Sequence, residues 1–114
     1  MKILNKTNGV ILAQKADIAD SVFARAKGLL RRKDLLSGEG LVLKPCNSIH
    51  TFFMRFPIDV LFVSKEGQVI ETIASLKPFR ITAVYFRSAF VIELPSGTIN
   101  STSTQKEDLI SLED

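Results

Sequence analysis

The stretch Ile58-Asp59-Val60-Leu61-Phe62-Val63 decides the fold of this chain. Five of its six residues are apolar, and they occupy both alternating parities, which is typical of a β-strand that is buried on both faces. The turn Lys65-Glu66-Gly67 follows and offers a glycine for a left-handed conformation. Gln68–Ala74 is therefore predicted to return as the second strand of a hairpin.

Apolar runs on both sides of this hairpin predict further short strands. Ala89–Leu94 is again apolar on both faces and is predicted to be central, while Asn8-Gly9 is typical of a type I′ turn. Asp20-Ser21 offers a helix cap, so an amphipathic helix is expected over roughly 21–30. The other predicted strands are Lys2–Leu4, Val10–Ala13, Leu41–Leu43, Ile81–Phe86 and Asp108–Leu112, and Asn47–Met54 is predicted to be extended. About eight short strands and one helix predict a mainly β, single-domain fold, either a β-sandwich or a small barrel.

The composition indicates one folded domain that spans residues 1–114. Hydrophobic residues make up 46% and charged residues 24% of the chain, which excludes intrinsic disorder. A net charge of +3, spread over dispersed basic residues, is no strong signal for nucleic-acid binding. No apolar run approaches the roughly 20 residues of a transmembrane segment. We therefore expect a cytoplasmic protein, with export left open if a leader is missing from the sequence.

Cysteine and histidine each occur once, as Cys46 and His50. A lone cysteine excludes an internal disulfide, and together the two residues are too few for the usual structural zinc sites. In an extended strand their side chains would lie about 13 Å apart, which is too far for a nucleophile and its base. The sequence therefore predicts no cofactor, no structural zinc and no thiol-dependent catalysis.

The uncommon side chains concentrate in one segment, Cys46–Val63, and this segment carries a resemblance to a known family. Further matching elements are Gly28–Arg32, Gly40–Leu43, Gly67–Ile70 and Glu93–Gly97. Over roughly residues 20–112 the chain resembles the domain of unknown function 192 family. The resemblance implies a compact, mostly β domain and no established activity. Where the family tends to show Gly-Asp before the last strand, this chain has Lys106-Glu107-Asp108, so it departs from the family pattern at the last turn.

Asp59 is the one charged residue of its apolar strand. Burying a carboxylate without a partner costs several kcal/mol, so we expect a partner nearby in sequence. Arg55, His50 and the backbone amides after Pro57 are the candidates. Two interpretations stay open: the carboxylate binds a ligand in a groove, or it fastens the turn at Phe56-Pro57.

Glu93 raises the same question in another apolar strand. If Asp59 and Glu93 converge, they could hold a divalent ion together with His50, or serve as an acid/base pair. Phe52 and Phe56 share the parity of His50 in the extended segment before Pro57. An exposed strip of this kind would mark a groove for a ligand or a partner.

Three hypotheses about function follow from the sequence. The first is a non-catalytic accessory domain that binds a small molecule or another protein in a groove around Ser48–Asp59. The second is a hydrolase-like enzyme that uses Asp59 and Glu93. The third is a protein–protein interaction module. The candidate binding residues are Asp59, His50, Arg55, Glu93, Phe52 and Phe56, and no catalytic residue is assigned.

Overall fold

The computed structural model describes residues 1–19, 35–52 and 54–114. These residues form eight strands and one short helix, which confirms the mainly β prediction. The strands are β1 (Lys2–Asn5), β2 (Ile11–Ala13), β3 (Lys15–Ala19), β4 (Glu39–Leu43), β5 (Ile58–Ser64), β6 (Val69–Leu76), β7 (Ser88–Pro95) and β8 (Ile110–Glu113). The helix, α1, is Thr98–Ser101. The helix predicted over roughly 21–30 lies outside the described residues.

The eight strands form two sheets, one with the order β2-β1-β8 and one with the order β3-β4-β7-β5-β6. All pairings are antiparallel except that of β3 with β4. Strands β7 and β5 lie inside the larger sheet, and every residue of β5 is buried, as its apolar pattern predicts. In the described part of the chain neither sheet closes on itself, so the fold is a two-layer sandwich of open sheets and not a barrel.

One face of the larger sheet packs against the smaller sheet. Buried side chains of β1 and β2, such as Ile3 and Leu12, join Leu61 and Ile92 in one hydrophobic core. Gly40 lets the two layers come close, because a Cβ at this position would lie 3.2 Å from the Cβ of Ala13. The smaller sheet covers one face of the larger sheet, and other segments of the chain cover the opposite face.

The second face of the larger sheet is covered by two irregular segments, 44–57, which the structure describes except for residue 53, and 77–87. Ile49 and Met54 from the first segment pack with Val60 and Phe62 of β5, and the ring of Tyr85 from the second lies 4.4 Å from the ring of Phe62. This second core includes side chains from Cys46–Val63, the segment in which the uncommon side chains of the sequence concentrate. At four residues, α1 is far shorter than the roughly 20 residues that cross a membrane, and no described helix is long and apolar enough to do so.

The prediction that Ile81–Phe86 forms a strand is wrong, and the described residues of segment 47–54 form no regular strand. The two segments run side by side, but they share a single isolated β-bridge, between His50 and Ile81. Threonine hydroxyls take up backbone groups that a ladder would use: the Thr82 hydroxyl accepts a hydrogen bond from the Ile49 amide at 3.0 Å and donates to the Ala83 carbonyl. Such local side-chain bonds compete with regular strand pairing.

The residues that depart from the family pattern form a turn before β8. Glu107 adopts a φ of 78°, the left-handed conformation that favours glycine. Asp108 is buried, and its Oδ2 accepts hydrogen bonds from the Asn5 side chain and the Gln105 amide, each at 2.9 Å. The chain therefore makes this turn with Glu107-Asp108 at the cost of backbone strain at Glu107.

Candidate functional site

Asp59 is fully buried and both of its carboxylate oxygens accept hydrogen bonds. Oδ1 accepts from the Ser75 amide at 2.8 Å, and Oδ2 accepts from the amides of Gly97 at 3.1 Å and Ile99 at 2.8 Å. The partners are backbone amides distant in sequence, so the expectation that Arg55, His50 or an amide after Pro57 pairs with Asp59 is wrong. Asp59 fastens the bulge of β6 and the start of α1 to β5, and the Phe56-Pro57 turn is not involved.

Asp59 and Glu93 lie on opposite faces of the larger sheet. Asp59 is opposite Leu94, and Glu93 is opposite Val60, and residues directly opposite each other in an antiparallel pair share a face. Leu94 belongs to the core beneath the smaller sheet, and Val60 belongs to the core beneath segments 44–57 and 77–87. The two carboxylates therefore do not converge as an acid/base pair, and the described residues contain no group of three or more metal-ligating side chains.

Glu93 lies in an apolar part of the sheet. Its side chain is 6% exposed and stands between Leu41 of β4 and Val60 of β5. None of the residues that the structure describes forms a hydrogen bond or ion pair with its carboxyl group. Burial disfavours the charged form, and this desolvation raises the pKa of Glu93 to about 7.

His50 and Phe52 point away from the core and form an exposed stack. Their ring centroids are 5.1 Å apart with an interplanar angle of 25°, and Nδ1 of His50 accepts a hydrogen bond from the Phe52 amide at 3.3 Å. Ile81 is the bridge partner of His50 and is 71% exposed. Phe79, next to this bridge, is 56% exposed. We call these four residues, His50, Phe52, Phe79 and Ile81, the aromatic surface.

Thr51 holds the aromatic surface together from beneath. It is fully buried, and its hydroxyl donates to the Lys77 carbonyl at 2.6 Å and accepts from the Arg80 amide at 2.9 Å. Its backbone amide donates to the Arg80 carbonyl, and its carbonyl accepts from the Phe79 amide at 2.9 Å. Phe79 is held at a φ of 61°. Thr51, Phe79 and Ile81 are not among the site residues predicted from the sequence. The one signal for Thr51 is its parity, which is opposite to that of His50 and Phe52 and therefore indicates the buried side.

The segments that carry the aromatic surface are rich in cations and contain no acid. Residues 44–58 and 72–92 contain no Asp or Glu. Their Lys and Arg residues are Lys44, Arg55, Lys77, Arg80 and Arg87, all exposed. Arg55 forms no ion pair within the described residues, and Arg80 donates through Nη1 to the Phe79 carbonyl at 3.4 Å. Lys44 lies over the ring of Phe90, which belongs to the core on the other face of the sheet. Arg80, between Phe79 and Ile81 in the chain, is the cation that the structure places beside the aromatic surface.

The predicted site residues consequently separate into three groups. His50, Phe52 and Arg55 are exposed, but Phe56 turns inward and packs on the second core. Glu93 is buried on the same side of the sheet, and Asp59 is buried on the other side. No single groove around Ser48–Asp59 unites these side chains.

Known proteins match this chain over almost its whole length. The model of the DUF192 family, described as "Uncharacterized ACR", matches residues 3–112. A UPF0127 protein of Pyrococcus horikoshii is 33% identical over 111 residues, which cover 95% of this chain and 96% of the relative. A UPF0127 protein of Thermococcus sibiricus is 29% identical over 115 residues, which cover 97% of this chain and 74% of the relative. The crystal structure of a protein of unknown function from Novosphingobium aromaticivorans superimposes with a TM-score of 0.83 at 18% identity, covering 97% of this chain and 82% of that one.

Proposed function

The chain belongs to the DUF192 family, and we propose that this member is a non-catalytic binding module that docks a partner through its aromatic surface. The observation that carries the proposal is the combination of exposed apolar side chains with a buried, hydrogen-bonded support. Ile81 and Phe79 are 71% and 56% exposed, while Thr51 beneath them is fully buried and bonded on its hydroxyl, amide and carbonyl.

This arrangement is not optimal for stability. The exposed part of an apolar side chain does not gain the hydrophobic free energy of burial, and a left-handed φ at Phe79 costs on the order of 1 kcal/mol or more. Strain and exposure that are maintained by a rigid support, without stabilising the fold, are features of binding sites. The rigidity lowers the entropy that the surface would lose on binding a partner.

The hydrolase-like alternative has the geometry of the two carboxylates against it. An acid/base pair needs both groups within reach of one substrate, but Asp59 and Glu93 face opposite sides of the sheet. The oxygens of Asp59 already accept three backbone hydrogen bonds. The docking function is therefore the better supported of the two.

Small aromatic anions are suitable probes, because their ring matches the apolar side chains of the surface and their charge matches its cations. We expect them to bind weakly. We would titrate phenyl phosphate and benzoate into the full chain labelled with ¹⁵N and record amide chemical shifts. The largest changes are expected in residues 50–52 and 79–82, and they should be lost in Phe79→Ser and Ile81→Ser. Leu109→Ser is the matched control, since Leu109 is also exposed but precedes β8 of the smaller sheet. Changes centred elsewhere, or no changes, would refute the proposal.

A further inference from the structure

The row of exposed apolar side chains continues past the aromatic surface along segment 77–87. Val84 is half-exposed, and Phe86 is 89% exposed. Phe86 lies in a turn that is closed by a hydrogen bond from the Ser88 amide to the Tyr85 carbonyl at 2.8 Å. The Tyr85 amide donates to the Asn47 carbonyl at 2.9 Å, so the backbone on both sides of the turn is fixed. We call this row of side chains the apolar ridge; its members are Phe52, Phe79, Ile81, Val84 and Phe86.

The members of the apolar ridge project into solvent, with between 39% and 89% of each residue exposed. At about 200 Å² for a large apolar side chain, the exposed area is about 600 Å², at the upper end of the range for the largest apolar patch of a soluble monomer. A projecting surface suits insertion into another phase better than the enclosure of a small molecule. Ile81 and Val84 have no aromatic face on which a nucleic-acid base could stack, but aliphatic side chains enter hydrocarbon readily.

The charges of the segment that carries most of the ridge have one sign, because residues 72–92 contain no Asp or Glu. Arg87 lines a pocket together with Lys106 and Glu107, so an acidic residue lies near it. Lys77 and Arg80 are exposed and flank Phe79 in the chain, and they are the cations that we assign to the ridge. Apolar side chains that project beside cations are complementary to anionic lipid headgroups above a hydrocarbon layer.

On the basis of the docking function above, we propose that the partner is an anionic lipid bilayer, into whose interface the apolar ridge inserts while Lys77 and Arg80 contact the headgroups. Phe86 enters deepest, because it is the most exposed member and stands at a turn. Binding depends on both components: apolar insertion is weak alone, and each cation adds a contribution that salt screens.

The absence of tryptophan from the chain provides a direct test. Phe86→Trp places a single fluorescent reporter at the turn, and Leu109→Trp places one on the smaller sheet as a matched control. We would add vesicles of equal parts phosphatidylcholine and phosphatidylglycerol to each full-length variant. The emission of Phe86→Trp is expected to shift to the blue, and the emission of Leu109→Trp is expected to stay unchanged. The shift should be lost with pure phosphatidylcholine vesicles, or in about 1 M NaCl, where the Debye length is about 3 Å.

Sedimentation with the same vesicles measures how much each side chain contributes. Ile81→Ser and Phe86→Ser are each expected to lower the partition coefficient about tenfold, and Lys77→Gln and Arg80→Gln about fivefold each. Lys65→Gln is the matched charge control, because Lys65 lies in the exposed turn between β5 and β6, and it should bind like the unmodified protein. Urea denaturation of each variant verifies that the fold is intact.

Unchanged emission of Phe86→Trp with excess anionic vesicles would overturn the lipid proposal. Binding of oligothymidylate with shifts in amides 50–52 and 79–82 but no vesicle binding would also overturn it and would leave the docking function standing. If phenyl phosphate, benzoate and vesicles all fail to perturb these amides, both proposals are refuted.

Discussion

Replacing Glu93 with glutamine should stabilise the protein at neutral and alkaline pH, and the gain should disappear in mild acid. Glutamine has nearly the same shape as glutamate but carries no charge. The pKa of Glu93 is raised by burial from its ordinary value of 4.5 to about 7. Keeping this carboxylate charged inside the fold therefore costs the native state about 3 kcal/mol, at about 1.4 kcal/mol for each pH unit. Glutamine does not incur that cost.

The sign follows from proton binding. Between about pH 4.5 and pH 7 the folded protein holds a proton on Glu93 that the unfolded chain has lost. Its contribution to the free energy of unfolding is therefore complete below pH 4.5, and it is lost as the pH rises through about 7. The difference in stability between Glu93→Gln and the unmodified protein should grow with pH across this window and level off above it.

Urea denaturation of both proteins at several pH values from about 5 to about 8 measures this difference. Glu66→Gln is the matched control, because Glu66 is exposed in the turn between β5 and β6, and its effect should vary little with pH. A difference for Glu93→Gln that stays constant with pH would refute the reasoning, as would one that shrinks as the pH rises. Either result would mean that the carboxylate is solvated or paired in the folded protein.

Three further substitutions test the contacts described above. Asp59→Asn should lower the free energy of unfolding by about 2–3 kcal/mol, because one of the oxygens that accept backbone amides becomes a donor; an unchanged urea midpoint would contradict this. Thr51→Val should cost about 1–3 kcal/mol and broaden the amide signals of residues 79–82, whereas Thr51→Ser, which keeps the hydroxyl, should leave those signals sharp. Glu107→Gly should raise the thermal midpoint, since relief of the left-handed φ of 78° gains on the order of 1 kcal/mol; a lower midpoint would show that the side chain is needed there.

Much of the fold could be predicted from local pattern. The continuous apolar runs of Ile58–Val63 and Ala89–Leu94 indicated buried strands, and β5 and β7 are internal strands of the larger sheet. Strand β3 was missed, because its buried positions carry only alanine and because buried and exposed positions do not alternate regularly along it. The segments 47–54 and 81–86 have the composition of strands, but hydroxyl groups of Thr51 and Thr82 occupy the backbone groups that regular pairing requires.

The candidate site was only partly accessible to sequence reasoning. His50 and Phe52 lie two residues apart, so their common side could be predicted from parity alone. Phe79 and Ile81 join them only because segment 77–87 folds back along segment 44–57, and the single bridge between His50 and Ile81 has no marker in the chain. The partners of Asp59 are backbone amides, which every residue except proline possesses and which therefore leave no signal in a sequence.

By itself, the sequence determined the mainly β class of the protein, the buried position of its two central apolar strands, and the concentration of its rare side chains in one segment. These properties are local, because alternation along a strand and the conformational limits of glycine and proline act between near neighbours. Only the tertiary structure decided which side chains meet. The parity of a residue has meaning only within its own strand, and the register between strands relates one parity to another. Since β5 and β7 pair with Asp59 opposite Leu94, Asp59 and Glu93 are separated by the thickness of the sheet.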